Sequence, residues 1–279
     1  MNTDTLEPVR VDGLAAERAG GDRVGGGLAG AVASEWTKMW SIRSTWWALL
    51  AGMLLMAATA AQLAIYAANA NTNDDPADDP GVVTVGSILI GSVELVQYAV
   101  LAIGLLAITS EFTSGTIRPS LLQVPSRGRL LLAKAVVVGA VTFAASLLLG
   151  AVGVAVARPV LGEWGRLPAG ETVGDVVSVA TYFALIGILA LGLGAALRSA
   201  VLVLTALFLT LMIIPLSLTE PDITLLDRIA DAFPGVAGGH FLTADPEAPY
   251  PAAVGLLLLA GWAAAALFAG LTVLRRRDA

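Results

Sequence analysis

The chain contains no cysteine among its 279 residues, and it contains only two lysines, Lys38 and Lys134, and one histidine, His240. Without cysteine, the chain forms no disulfide, thiolate metal site or cysteine nucleophile. Charged residues make up 14% of the chain and apolar residues 57%, whereas a soluble domain has roughly 25% charged residues. The apolar residues form long uninterrupted runs, and runs of about 18 or more predict membrane-spanning helices.

Motifs for nucleotide hydrolysis and for intramembrane catalysis are missing as well. Neither lysine follows a glycine, so the chain has no phosphate-binding loop of the GxxxxGK[ST] type. His240 lies near Asp245 and Glu247, which do not make a metal ligand set, and we expect it in an external loop. We therefore expect no catalytic residues, no metal site and no cofactor in this chain, which is not expected to be an enzyme or to bind nucleic acid.

Six apolar runs predict an all-α membrane protein with six transmembrane helices in a domain that covers 45–279. The predicted spans are 45–68, 82–110, 130–157, 173–197, 200–218 and 252–274. A short turn around Arg198 joins the fourth and fifth spans, which predicts a tight helical hairpin. Gly192 and Gly194 in the fourth span predict close packing against a neighbouring helix.

The segment before the first span has two parts. Residues 1–29 are charged and glycine-rich without a sustained apolar stripe, which predicts a disordered tail. Residues 30–44 predict an amphipathic helix that lies at the membrane interface, with tryptophans on its apolar side. An aromatic collar on an ordinary span is the alternative. The apolar side has Val32, Trp36, Met39, Trp40 and Trp47, and the polar side has Glu35, Lys38 and Ser41.

The charges that flank the spans are segregated by sign. One set of flanks carries ten cations against three carboxylates, and the other set carries thirteen carboxylates against three arginines. Because cations near span ends stay in the cytoplasm, we expect both termini inside and the acidic loop 69–81 outside. The ten cations are Lys38, Arg43, Arg118, Arg127, Arg129, Lys134, Arg198, Arg275, Arg276 and Arg277.

A polar insert separates the second span from the third, and its sequence predicts a short helix. Pro119 suits a first helical turn and Pro125 stops the helix. Ile117, Leu121 and Val124 share one face. A helix this short is not stable alone, so this face needs a partner, either the membrane surface or a soluble protein. An ordinary cation-rich cytoplasmic loop is the simpler interpretation.

The insert, read as Glu111, Gly115-Thr116, Arg118, Leu121, Pro125, Arg127 and Ala133-Lys134, resembles the intracellular loop of type-2 ATP-binding-cassette (ABC) exporter permeases. The opening "SEWTKMWSIRSTWW" is similar to the N-terminus of actinobacterial members, and "LGLGAALRS" and "FPGVAGG" also fit the pattern. The resemblance extends from about Ala33 to the end of the chain.

This resemblance implies a permease subunit of an exporter in the bacterial plasma membrane, in contact with membrane lipid. It works as a dimer with a second copy or a paralogue, and a separate cytoplasmic ABC ATPase binds the ATP. The insert is then the coupling helix that contacts the ATPase, Gly115 permits the turn, and Glu111, Arg127 and Lys134 hold the loop at the membrane edge. The implied coupling residues are Glu111, Gly115, Thr116, Ile117, Arg118, Pro119, Leu121, Leu122, Val124, Pro125, Arg127 and Lys134.

Glu94 is the carboxylate that falls well inside a predicted span, with Gln97 and Tyr98 three and four residues on. An intramembrane carboxylate is costly, which favours a functional role. It is either part of a substrate pathway between two subunits or an acid near the outer interface that keeps its proton or reaches water. A secondary transporter driven by an ion or proton gradient is the alternative function.

Residues 223–233 predict an amphipathic external helix.

Overall fold

The computed structural model describes residues 27–73, 79–116, 126–220 and 223–276. Within these ranges six helices are long and apolar enough to cross a membrane, so the protein is an all-α, multi-pass membrane protein. Each predicted apolar run is helical because lipid offers the backbone no hydrogen-bonding partners. The six spans are Arg43–Ala70, Val85–Ser114, Arg127–Trp164, Ala169–Leu197, Ala200–Thr219 and Ala252–Arg276.

The long helices are α1 (Gly27–Ser41), α2 (Arg43–Ala70), α3 (Val85–Ser114), α4 (Arg127–Leu161), α5 (Ala169–Leu197) and α10 (Ala252–Arg276). The fifth span combines α6 (Ala200–Phe208), a π-helical turn (Leu209–Ile213) and α7 (Ile214–Thr219). The short helices α8 (Thr224–Asp231) and α9 (Pro234–Thr243) precede α10. Two short parallel strands, β1 (Val83–Thr84) and β2 (Gly165–Arg166), pair Val83 with Gly165 and Thr84 with Arg166.

Helix α5 lies at the centre of the bundle, where it contacts α3, α4 and α10. Its side chains Phe183 and Ile186 are fully buried. A Cβ atom at Gly192 would lie 2.5 Å from the backbone of Ala266 in α10, so this approach requires glycine. At Gly194 a Cβ would lie 2.7 Å from Ile108 of α3. The predicted close packing at these two glycines is confirmed.

Two helices end at residues with a left-handed backbone conformation, at the turns that the sequence indicated. Gly115 ends α3 with φ of 73°, and Arg198 ends α5 with φ of 56°. The Ser199 side chain then caps α6 by accepting a hydrogen bond from the Leu202 amide at 3.5 Å. The turn at Gly115 and the tight hairpin between the fourth and fifth spans are therefore confirmed.

Most of the cations that flank the described spans gather at one end of the bundle, which we call the cation-rich end, whereas Arg166 in β2 and Arg228 in α8 lie at the other end. Three contacts from different helices define the cation-rich end: Lys134 with Glu111, Arg127 with the Leu274 carbonyl, and Arg198 over the Phe112 ring. The opposite end carries β1, β2, α8 and α9. Lys134, Arg127 and Arg198, three cations of the set predicted to be cytoplasmic, thus lie at one end, and the side of the membrane that each end faces stays a prediction.

The N-terminal helix begins earlier and faces differently than expected. Helix α1 starts at Gly27, within the predicted tail 1–29, whose residues up to 26 lie outside the described residues. Glu35 is buried against the bundle together with Ala31 and Met39, whereas Trp36 is 46% exposed. The face that contacts the bundle therefore combines Glu35 from the predicted polar side with Met39 from the predicted apolar side, and placement of α1 at the membrane interface stays a prediction.

At the end of the bundle opposite the cation-rich end, the secondary structure at His240 differs from the prediction. This residue lies in helix α9 rather than in a loop, and its Nε2 atom lies 3.2 Å from Asp231 Oδ1. Tyr250 donates its hydroxyl to the Asp231 carbonyl, and burial, followed by the nearby Asp231 charge, raises the pKa of Tyr250 to about 12. These contacts tie α8, α9 and the loop before α10 together.

The amphipathic stretch 223–233 forms α8, in which Ala230 is buried and Leu225 is exposed.

Candidate functional site

Four charged side chains from three helices meet at the cation-rich end, and we call them the charge cluster: Glu35, Lys38, Glu111 and Lys134. Lys134 Nζ lies 2.6 Å from Glu35 Oε2 and 2.7 Å from Glu111 Oε1. It also donates to the Ala107 carbonyl at 3.3 Å. Lys38 Nζ lies 2.8 Å from Glu35 Oε1 and 3.6 Å from Glu111 Oε1. The cluster therefore links α1 to α3 and α4.

The position of each member follows from its place on a helix. Glu35 lies on the buried face of α1, one turn after Ala31 and one turn before Met39. Glu111 lies in the last turn of α3, and Lys134 lies two turns into α4. Helices α3 and α4 therefore present these two side chains to each other on either side of the insert, and α1 covers them both.

The charges of the cluster balance, because it holds two carboxylates and two ammonium groups. Lys134 is 3% exposed, Glu35 4% and Glu111 7%, and charges this deeply buried are stable only when paired. One atom stands apart from this pairing. Glu111 Oε2 is buried and has no hydrogen-bond partner among the described residues, which costs about 1–3 kcal/mol for an unsatisfied acceptor.

A cavity of about 360 Å³ lies beside the charge cluster. Lys38, Glu111 and Ser110 line its polar part, and Met39 and Val138 contribute to its apolar part. This volume is in the range of small-molecule sites, about 300–1,000 Å³.

The sequence indicated half of this cluster. Glu111 and Lys134 were expected to hold the insert at the membrane edge, and they contact each other directly. Glu35 and Lys38 were expected on the polar side of α1, and Glu35 on that side is buried against α4. Lysine usage was a signal for the cluster: the chain has two lysines against fourteen arginines, and both lysines contact Glu35.

The insert itself is only partly described. Its flanks are described: Ser114 and Thr116 hydroxyls lie 2.8 Å apart, and Arg127 Nη1 donates to the Leu274 carbonyl of α10. The predicted coupling residues Ile117, Arg118, Pro119, Leu121, Leu122, Val124 and Pro125 lie outside the described residues.

A second candidate site surrounds Glu94 on α3, nine residues after Val85 and so about 14 Å along the helix. Glu94 is exposed in this single chain and forms no ion pair among the described residues. It lines two clefts, of about 580 Å³ and 420 Å³. Tyr98 lines the first and Gln97 the second. The three residues predicted together therefore surround adjoining clefts.

Gln97 and Tyr98 have different environments. Gln97 is 5% exposed and its Oε1 atom accepts the Tyr182 hydroxyl of α5 at 2.6 Å. Its Nε2 atom donates to the Glu94 carbonyl at 2.9 Å. Tyr98 packs its ring 5.8 Å from that of Phe208 in α6, and its buried hydroxyl has no partner among the described residues. Gln97 thus joins the core of the bundle, while Tyr98 faces the fifth span.

The wall opposite Glu94 is the π-helical turn, whose Met212 lines both clefts. Pro215 has no amide to donate to the Leu211 carbonyl, and α9 packs closely at this point. A side chain at Gly235 of α9 would collide with that carbonyl. Turns of this kind are frequent at functional sites. Sequence reasoning did not find this turn, and Pro215 was its one signal.

Comparison with known proteins assigns neither site. No protein-family model matches the chain, and no curated protein matches it in sequence at a significant level. Among the described residues, no group of three or more His, Cys, Asp or Glu side chains is placed to hold a metal ion.

Proposed function

We propose that this chain is the membrane-spanning permease subunit of a type-2 ABC exporter, moved by a separate ATPase that docks on the segment 117–125. The charge cluster is the observation that carries this proposal. It joins the last turn of α3 to α4, the two helices on either side of that segment, through the contact of Glu111 with Lys134. Under this proposal, movement of the segment displaces α3, α4 and α1 together, since ion pairs join these three helices.

The energy source must be supplied from outside this chain under the proposal. The sequence has no phosphate-binding loop, so ATP is hydrolysed on the partner. Ile117, Leu121 and Val124 supply the apolar face that the partner covers. The cation-rich end is then the cytoplasmic end, in agreement with the rule that cations near spans stay inside.

The exposed Glu94 supports a second subunit in the assembly. An exposed carboxylate within a span costs at least about 2.5 kcal/mol in lipid, and a second copy or a paralogue lowers that cost if it pairs with Glu94 or encloses a water-filled cavity beside it. The clefts beside Glu94, Gln97 and Tyr98 then become part of a pathway between two subunits.

The test is purification of the tagged chain from native membranes. We expect the purified complex to hydrolyse ATP and to contain an ABC ATPase that peptide sequencing identifies. We expect Leu121→Asp to abolish this association, because an unpaired carboxylate in a buried contact costs several kcal/mol. Ser126→Asp is the matched control. It adds the same charge five residues on, at an exposed N-cap where aspartate serves as well as serine. Equal ATPase recovery with the two variants would remove the coupling assignment.

A secondary transporter is the second candidate, and the exposure of Glu94 beside two clefts is the observation that favours it. A carboxylate in this position can carry a proton across part of the membrane. In vesicles that contain this chain alone, an imposed proton gradient would then collapse faster with the wild type than with Glu94→Gln. The ABC proposal expects no difference between them.

A further inference from the structure

The cavity beside the charge cluster has a polar part and an apolar part. Its polar part holds Lys38, Ser110 and Glu111, and its apolar part holds Met39, Ile42 and Val138. The exposed Ser114 lies at its rim. A ligand that fits both parts is an amphiphile with a small polar headgroup.

Glu111 sets what the headgroup must offer. Its side chain is 9% exposed, and Oε1 accepts from Lys134 Nζ at 2.7 Å. The other oxygen, Oε2, is buried without a hydrogen-bond partner among the described residues. A carboxylate oxygen only accepts hydrogen bonds, so the missing group is a donor, and a primary ammonium is the donor that also matches the charge.

The charge balance of the cluster sets the rest of the headgroup. Among the described residues, the charges of Glu35, Lys38, Glu111 and Lys134 sum to zero, so a ligand with a net charge would add an uncompensated charge to this largely buried cluster. A zwitterion preserves the balance. Lys38 Nζ lies 3.6 Å from Glu111 Oε1, and its side chain is 34% exposed. An anionic group joined to the ammonium can therefore lie against Lys38.

The apolar part continues along α3 into the span. A small adjoining cavity shares Met39, Ile42 and Ala107 with the larger one and reaches Ile103 and Leu106. Ala102, Leu106 and Ser110 follow one another at four-residue spacing and are all half-buried. They form a strip that leads from the cavity along the apolar surface of α3, where an acyl chain can lie.

We propose that this cavity binds a membrane lipid whose headgroup joins a primary ammonium to a phosphate, the chemistry of a phosphatidylethanolamine. The ammonium donates to Glu111 Oε2, the phosphate lies beside Lys38, and one acyl chain follows the strip on α3. The proposal does not depend on the assignment to ABC exporters, because lipid binding is measured on this chain without any ATPase.

Native mass spectrometry of the purified full chain, titrated with defined lipids, is the test. We expect one phosphatidylethanolamine per chain to be retained at detergent concentrations that remove phosphatidylglycerol, which lacks an ammonium group. Phosphatidylcholine should also be lost, because its quaternary ammonium has no N–H to donate. Soluble phosphoethanolamine separates headgroup from lipid: binding as tight as that of the lipid would make the ligand a soluble zwitterion. Equal retention of all three lipids would mean annular lipid only and would overturn the proposal.

Two variants locate the site, and a third serves as control. Glu111→Gln should weaken retention about tenfold or more, the ordinary weight of a charge-assisted hydrogen bond. Ala107→Phe fills the cavity without changing a charge and should abolish retention in a chain that still melts cooperatively. Val136→Phe, at a position 47% exposed on α4 and outside the cavity lining, should retain the lipid. Full retention by Ala107→Phe would contradict the proposal, whatever Glu111→Gln does.

Discussion

Glu111 and Glu94 lie on the same helix, seventeen residues and about 25 Å apart, and their environments are opposite. Glu111 is 7% exposed and accepts from Lys134 at 2.7 Å. Glu94 is exposed, lines two clefts and forms no ion pair among the described residues. One helix thus carries two glutamates, of which Glu111 is buried in ion pairs at its end and Glu94 is exposed further along it.

The different environments of Glu111 and Glu94 indicate two roles on one helix, one in stability and one in access to a ligand or partner. A buried, paired carboxylate fixes the helix to its neighbours and loses that role when its partner is removed. An exposed carboxylate within a span contributes little to the fold of the single chain and remains accessible to a substrate, a proton or a second subunit. We therefore expect stability to depend on the charge cluster and transport to depend on the Glu94 clefts.

The largest effect on stability is expected from Lys134→Met. The substitution removes the ammonium shared by Glu35 and Glu111 and should lower the free energy of unfolding by about 3–5 kcal/mol. Unfolding monitored by tryptophan fluorescence in detergent measures this change. Arg129→Met is the control, since Arg129 lies in the same helix and is exposed. If the two variants unfolded alike, the cluster would not be what holds α1, α3 and α4 together.

An intermediate effect is expected from Tyr182→Phe, at a residue of α5 that contacts α3 beside the Glu94 clefts. It removes the hydroxyl that donates to buried Gln97 Oε1 at 2.6 Å, and the acceptor left unsatisfied should cost about 1–3 kcal/mol. The same unfolding measurement applies. Adding Gln97→Leu should restore part of the lost free energy of unfolding, because both polar partners are then gone. If the double variant instead lost the sum of the two single losses, the two residues would not be a coupled pair.

The smallest effect on stability is expected from Glu94→Gln, within about 0.5 kcal/mol, as for an exposed residue without a buried partner. If the proposed function holds, Glu94→Gln should instead reduce transport, measured in vesicles that contain the chain and the proposed ATPase. Unfolding at wild-type midpoint together with reduced transport is the expected pair of results. A large loss of stability would place Glu94 with Glu111 as a structural acid and erase the distinction between the two regions.

The helices themselves could be predicted from the sequence, and the contacts between distant residues could not. Six apolar runs predict six helices, because membrane-spanning backbone must satisfy its own hydrogen bonds. Gly115 and Arg198 mark turns through local conformation alone. The contact of Glu35 with Lys134, in contrast, joins residues 99 positions apart. Helical periodicity cannot reveal it, because the pattern placed Glu35 on a polar face without showing what that face meets.

The π-helical turn opposite Glu94 shows a second reason why the sequence did not predict the whole site. Pro215 indicates an interrupted helix, but whether the helix kinks, ends or widens depends on the helix packed against it. Here Gly235 of α9 approaches the Leu211 carbonyl more closely than any side chain would permit. Such a contact depends on the packing of two helices and is absent from the periodicity of either one.

The central claim, that one end of the bundle receives an ATPase while the Glu94 region faces a second subunit, can be tested by photo-crosslinking in native membranes. A photoreactive amino acid at Leu121 should crosslink the chain to a soluble ABC ATPase. The same amino acid at Leu95, which is 56% exposed beside Glu94, should crosslink it to a second copy or a paralogous permease. Crosslinks from Leu121 to lipid alone, with no ATPase among the products, would contradict the account.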